Sequence, residues 1–109
     1  MAEVFKNYAT AGVGTTETVV YTAPTSTTAV VIGMTCANVL SNTQVNINVK
    51  ATVGGTAVYV VKNSGVAVGG AMVPIGGDQK VVLEAGDTLA VTSTSASSVD
   101  VLLSVLEQS

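Results

Sequence analysis

Asp78 and Asp87 are the first residues to weigh for chemistry. Two carboxylates nine positions apart, each in a glycine-containing stretch, are raw material for an acid/base pair or a calcium site. Cys36, the one thiol, offers a nucleophile. Gly12-Val13-Gly14 and Gly69-Gly70 invite comparison with phosphate-binding loops. None of these leads develops. Asp is favoured in glycine-containing turns because its side chain bonds the local backbone, and Gly76-Gly77-Asp78 and Glu84-Ala85-Gly86-Asp87 lack the oxygen-ligand spacing of a calcium loop. There is no His in the chain, so Cys36 and the many Ser and Thr hydroxyls lack the commonest activating base. The glycines match neither GxxxxGK[ST] nor a strand-linked GxGxxG. The expectation is a protein with no catalytic residue, no metal and no cofactor.

Composition points the same way. The 109 residues include no Arg and no Trp, and 4 Lys stand against 7 Asp and Glu for a net charge of −3. Hydrophobic residues make up 48% and charged residues 10%, against about 25% charge in an average soluble domain. Thr, Ser, Asn and Gln supply most of the polar surface. So little charge gives little long-range repulsion between copies, which suits a protein that works in an assembly. Lys6, Lys50, Lys62 and Lys80 are scattered, whereas nucleic-acid binding needs clustered cations. The longest apolar run, Ala29–Met34, is far shorter than the ~20 residues of a membrane helix, and Met1–Thr16 lacks the apolar core of a signal peptide. The reading is of synthesis in a cytoplasm without export, and of no nucleic-acid or membrane partner.

The elements that must position any contact residues follow from a period of two. Val45, Ile47, Val49, Ala51 and Val53 alternate with Asn46, Asn48, Lys50 and Thr52, which makes Thr43–Val53 a half-buried strand. Ser98–Glu107 repeats the pattern with Val99, Val101, Leu103 and Val105 on one face. Leu102 and Leu106 interrupt the polarity of its other face, so this strand expects cover on both sides, from its own chain or from a neighbour. Further β-branched runs bounded by turn residues are Thr18–Thr22, Thr28–Asn38, Ala57–Lys62, Ala71–Ile75, Lys80–Leu83 and Thr88–Thr94. The sum is about eight short strands and no helix: an all-β antiparallel sandwich of jelly-roll type, with immunoglobulin-like connectivity left open.

Residues 1–16 are expected as an N-terminal arm ahead of a sandwich domain over 17–109. Val4, Phe5 and Tyr8 precede the small, flexible stretch Ala9–Thr16, which reads as a frayed terminus or as an arm that docks on a neighbour. Loss of Met1–Tyr8 would then leave folding intact. The loop Asn63–Gly70 either tucks Val66 and Val68 over an open end of the sandwich or serves as a contact. Val4, Phe5, Tyr8, Leu102 and Leu106 are the candidate partner-contact residues. Sugar binding needs aromatic platforms, and only Tyr8, Tyr21 and Tyr59 are available besides Phe5.

The succession Glu17–Pro24, Thr28–Met34, Val58–Asn63, Gly77–Asp87 and Ser98–Glu107 resembles small virion structural proteins of tailed bacteriophages, over nearly the whole chain. The shared motifs are strand and turn patterns and not chemical signatures. The resemblance implies a capsid decoration or cement protein on the head surface, a homotrimer bound to the major capsid protein. Tail, neck or fibre components use similar modules, and a receptor- or carbohydrate-binding module ranks third.

Overall fold

The computed structural model describes residues 3–109. Nine strands form among them: β1 (Glu3–Val13), β2 (Thr18–Thr22), β3 (Thr28–Asn38), β4 (Val45–Val53), β5 (Thr56–Val66), β6 (Ala71–Ile75), β7 (Val81–Leu83), β8 (Thr88–Ser93) and β9 (Val99–Gln108). One antiparallel sheet runs β1-β9-β3-β6, with β7 also paired to β3; the other runs β2-β8-β4-β5. This is jelly-roll strand order, and the all-β sandwich expected from alternation is what the chain adopts.

The two sheets close on the inward residues of each alternating strand. Met34, Ile47, Ile75, Leu83, Leu89 and Leu103 are the bulkiest fully buried side chains. Val45, Ile47, Val49 and Ala51 all point into this core, as their spacing requires. Turn chemistry sets the connections. Gly54 and Gly55, with φ of 58° and 83°, form the two-residue β4–β5 loop, where two positive φ values match the twist of the flanking strands. Strands β6 and β7 share one edge position beside β3, split by the turn closed by Gln79 N–H to the Gly76 carbonyl at 3.2 Å. Pro74 is tolerated in β6 because an edge strand has a side that needs no N–H donor.

Asn38, 4% exposed, fastens the end of β3. Its Nδ2 donates to the carbonyls of Thr43 (2.9 Å) and Val66 (3.1 Å), and its Oδ1 accepts from the Leu40 amide (2.9 Å). Strand β5 accordingly runs past Lys62 to Val66, into the stretch expected as a loop; Val66 is buried while Val68 stays exposed.

The principal departure from expectation lies at the N-terminus. Met1 and Ala2 of the expected arm are outside the described residues, but Glu3–Val13 is no separate arm. It pairs in register with β9 from Glu3↔Gln108 to Thr10↔Val101, then shifts by a bulge to Val13↔Val99. The cause is long-range: β9 offers a full ladder that a small, weakly helical segment satisfies, and Val13 is carried into the core at 2% exposure. Folding is therefore not indifferent to the first eight residues. Their deletion is expected to cost roughly 2–4 kcal/mol, through lost ladder bonds and the loss of Tyr8, read as a lower urea midpoint. Leu103→Ala, at a site 1% exposed, should cost about 2–5 kcal/mol in the same measurement.

Candidate functional site

With the inner faces spent on the core, the two outer faces remain, and they differ in chemistry. On the sheet containing β4, Asn46, Asn48, Lys50 and Thr52 point outward beside Thr88 and Thr92 of β8. These polar groups bond one another: Asn46 Nδ2 donates to Asn63 Oδ1 (3.2 Å), the Asn63 amide donates to Asn48 Oδ1 (2.7 Å), and Lys50 Nζ pairs with Glu17 Oε2 (2.8 Å). The same face also exposes Val19 and Tyr59 in the row of Lys50, so it is mainly polar and not wholly so.

The outer face of the sheet containing β9 is apolar. The register aligns Phe5 with Leu106, Leu106 with Val30, and Val30 with Val82, one unbroken row across four strands. Four residues along, a second row runs Ala9, Leu102, Thr35. Phe5 is 74% exposed, Val73 62%, Val82 53% and Leu102 52%. Between the rows, Ser104 Oγ donates to Asn7 Oδ1 at 2.6 Å, which leaves the Asn7 Nδ2 donors facing solvent. Within these strands the outward charges are Glu3 and Asp100, at opposite ends. Beside the second row lies a shallow depression of about 370 Å³ lined by Ala9, Ala11, Thr35, Ala37, Asp100 and Leu102.

Of the contact residues singled out from sequence, Phe5, Leu102 and Leu106 thus share one face. Leu102 is not covered by its own chain. Val4 and Tyr8 stand apart from them, because β1 alternates and both lie on its inward side, opposite Glu107 and Leu103. Val30, Val73 and Val82 were not singled out. Their runs read equally as buried strands, and only cross-strand register puts them outside.

Tyr8 belongs to a second cluster at one end of the sandwich. Glu107, 7% exposed, accepts hydrogen bonds on Oε2 from Tyr8 (2.8 Å) and Tyr21 (2.7 Å), while Lys6 Nζ lies 3.2 Å from Oε1. The Tyr8 and Tyr21 rings meet at 5.0 Å and 60°. Burial pushes the Glu107 carboxyl up, but the Tyr21 and Tyr8 hydroxyls and the Lys6 ammonium together outweigh it and hold the group below its ordinary value. Burial first, and the bond to Glu107 second, push the Tyr21 phenol up. This cluster ties β1 and β9 of one sheet to β2 of the other.

The other candidates serve the fold. Asp87 accepts from the amides of Gly54 (3.1 Å, Oδ1) and Glu84 (3.0 Å, Oδ2), so its carboxylate staples two turns. Asp78 is exposed in the turn before β7. Among the described residues no three of His, Cys, Asp and Glu gather as a metal site. Cys36 is fully buried in β3, and burial pushes its thiol up to about 12, which keeps it protonated and unreactive. Of the tyrosines, Tyr59 is well exposed, with Lys62 Nζ 4.2 Å from its ring centroid.

Comparison with known proteins bears on the fold. The chain resembles a pilus protein in architecture. That solved structure, described under "Bacillus endospore appendages form a novel family of disulfide-linked pili", matches with a TM-score of 0.58 over 98% of this chain and 88% of the other, at 16% identity. No protein-family model and no curated protein matches the sequence. At this identity the likeness establishes the shared sandwich.

The Glu107 cluster predicts a sign for pH dependence. A carboxyl whose folded value is depressed adds stability at neutral pH, and that contribution is lost as pH falls through the ordinary carboxylate range of about 4 toward the lower folded value. Urea midpoints measured from pH 7 to pH 3 should therefore fall more for the native chain than for Glu107→Gln. Parallel curves would remove the clasp from the account of acid stability.

Proposed function

We propose that this chain is a non-enzymatic structural subunit that works by surface contact within a multicopy particle. The observation that carries the reading is the contrast between the sandwich's two outer faces. One is largely polar and internally hydrogen-bonded, with Val19 and Tyr59 as its exposed apolar side chains; the other presents Phe5, Leu102, Val73 and Val82 to solvent around a bonded Asn7–Ser104 pair. An exposed apolar surface of this kind marks an interaction site. A thiol held protonated in the core and carboxylates committed to turns or to tyrosines support a role without chemistry.

At finer grain, the resemblance to tailed-phage virion proteins favours a capsid decoration protein, made in the host cytoplasm and bound to the major capsid protein on the head surface. Many equivalent sites on a shell let modest individual contacts add to firm coverage. A second reading, a fibre or filament component, draws on the likeness to the spore-appendage pilus protein. The disulfide linkage of those pili would have to be replaced here, since the chain's one Cys, Cys36, is fully buried.

Copy number per purified virion, measured by quantitative mass spectrometry against the major capsid protein, separates these readings. Decoration requires on the order of hundreds of copies; about a dozen or fewer would overturn it in favour of a tail or fibre position.

A further inference from the structure

We propose that the apolar outer face of the β1-β9-β3 sheet binds the same face of a second copy of this chain, related by a two-fold axis. The inference rests on the reading of the chain as a contact-making subunit and names the partner. Three observations lead to it.

The first is self-complementarity. The face carries its largest protrusion, Phe5, in one row and its depression, lined by Ala9, Ala11 and Leu102, in the next. Asn7, Ser104 and Gly33 lie between the two rows. A two-fold axis in the plane of the interface, passing through this middle row across the strands, exchanges the rows. Phe5 of each copy then meets the depression of the other, and Leu106 meets Leu102. Stacked sheets lie about 10 Å apart and cross at about 30°, which leaves room for interdigitated side chains.

The second is area. Four strand positions at about 4.8 Å and ten residues at about 3.3 Å give a face of about 600 Å², so pairing would bury about 1,200 Å² in total, above the ~1,000 Å² a specific interface needs. The third is charge and polarity. The centre of the face holds no ionised group. Ser104 Oγ bonds Asn7 Oδ1 at 2.6 Å, and the two-fold sets Asn7 of one copy opposite Asn7 of the other, so the remaining Asn7 Nδ2 donors have to be met across the axis. Glu3 falls at the rim, and Asp100, on the wall of the depression, keeps one oxygen bonded by the Gly12 amide at 2.9 Å. The pair would then turn the two more polar sheets outward. A cyclic trimer, which the resemblance to decoration proteins implies, needs two different patches on each copy; one flat face bearing both protrusion and depression satisfies a two-fold instead.

Analytical ultracentrifugation of the full chain from low to high micromolar concentration tests this. The expected result is a species of twice 10.8 kDa. Phe5→Asp and Val82→Asp, both at exposed positions, should each weaken dimerisation by at least about tenfold while leaving unchanged the urea midpoint measured at a concentration low enough for every variant to be monomeric. Val19→Asp, also exposed but on the opposite sheet, should leave dimerisation intact. A monomer at every concentration, a trimer, or a dimer indifferent to both Phe5→Asp and Val82→Asp overturns the inference. A monomer still present in hundreds of copies per particle would sink the face pairing and spare the proposed function; a dimer absent from purified particles would do the reverse.

Discussion

Strand β9 is hydrogen-bonded along its length to β1 on one side and to β3 on the other, so its pleat dictates which way three strands face. Val99, Val101, Leu103 and Val105 point inward and commit that side to the core. Their neighbours Leu102 and Leu106 are then forced outward, and register places Phe5, Ala9, Val30 and Thr35 beside them. A slip of one residue would bring Leu102 and Leu106 into the core and push Leu103 and Val105 out. The same slip would drive Asp100 and Ser104 into the core, so the alternation opposes it, though less firmly than a wholly polar outer face would.

The Glu107 clasp adds a second restraint. A carboxylate at an inward position is acceptable only where Tyr8 and Tyr21 can donate to it and Lys6 can approach. In the slipped register Glu107 would turn outward, and the Tyr21 hydroxyl, in a residue only 4% exposed, would lose its acceptor. An unsatisfied buried hydroxyl costs about 1–3 kcal/mol, enough to discriminate between registers whose apolar burial is similar. The same contact draws β1 onto the sandwich, which explains why a segment of small residues behaves as a strand.

Local pattern made much of this architecture readable. Thr28–Asn38 and Ala71–Ile75 stand out because β-branched runs end at turn residues, and the Gly54-Gly55 loop follows from a φ requirement only glycine meets easily. What escaped is what depends on pairing between distant residues. Tyr8 lies 99 positions from Glu107, and nothing near Ala9–Val13 signals that β9 will supply its ladder. The apolar outer face was half legible: Leu102 and Leu106 betrayed themselves by breaking an alternation, whereas Val30 and Val82 sit in runs that look buried until the register is known.

The arrangement of edges bears on how such a subunit meets its neighbours. An open strand edge invites another chain to add to the sheet, and the outermost strands here carry features that oppose it. Pro74 removes a donor from β6, the β5 ladder shifts register twice near Val49, with Lys62 exposed on that strand, and bulges interrupt β1 after Thr10 and β2 after Val19. The β1-β9-β3 face has no equivalent protection. It is uncharged at its centre, where Ser104 bonds Asn7. A chain with a net charge of only −3 has little long-range repulsion to keep such faces apart. Irregular edges beside an open apolar face favour contacts that close on themselves over contacts that propagate through the backbone, and that is the condition under which a weakly charged β-sandwich stays a defined particle and not an aggregate.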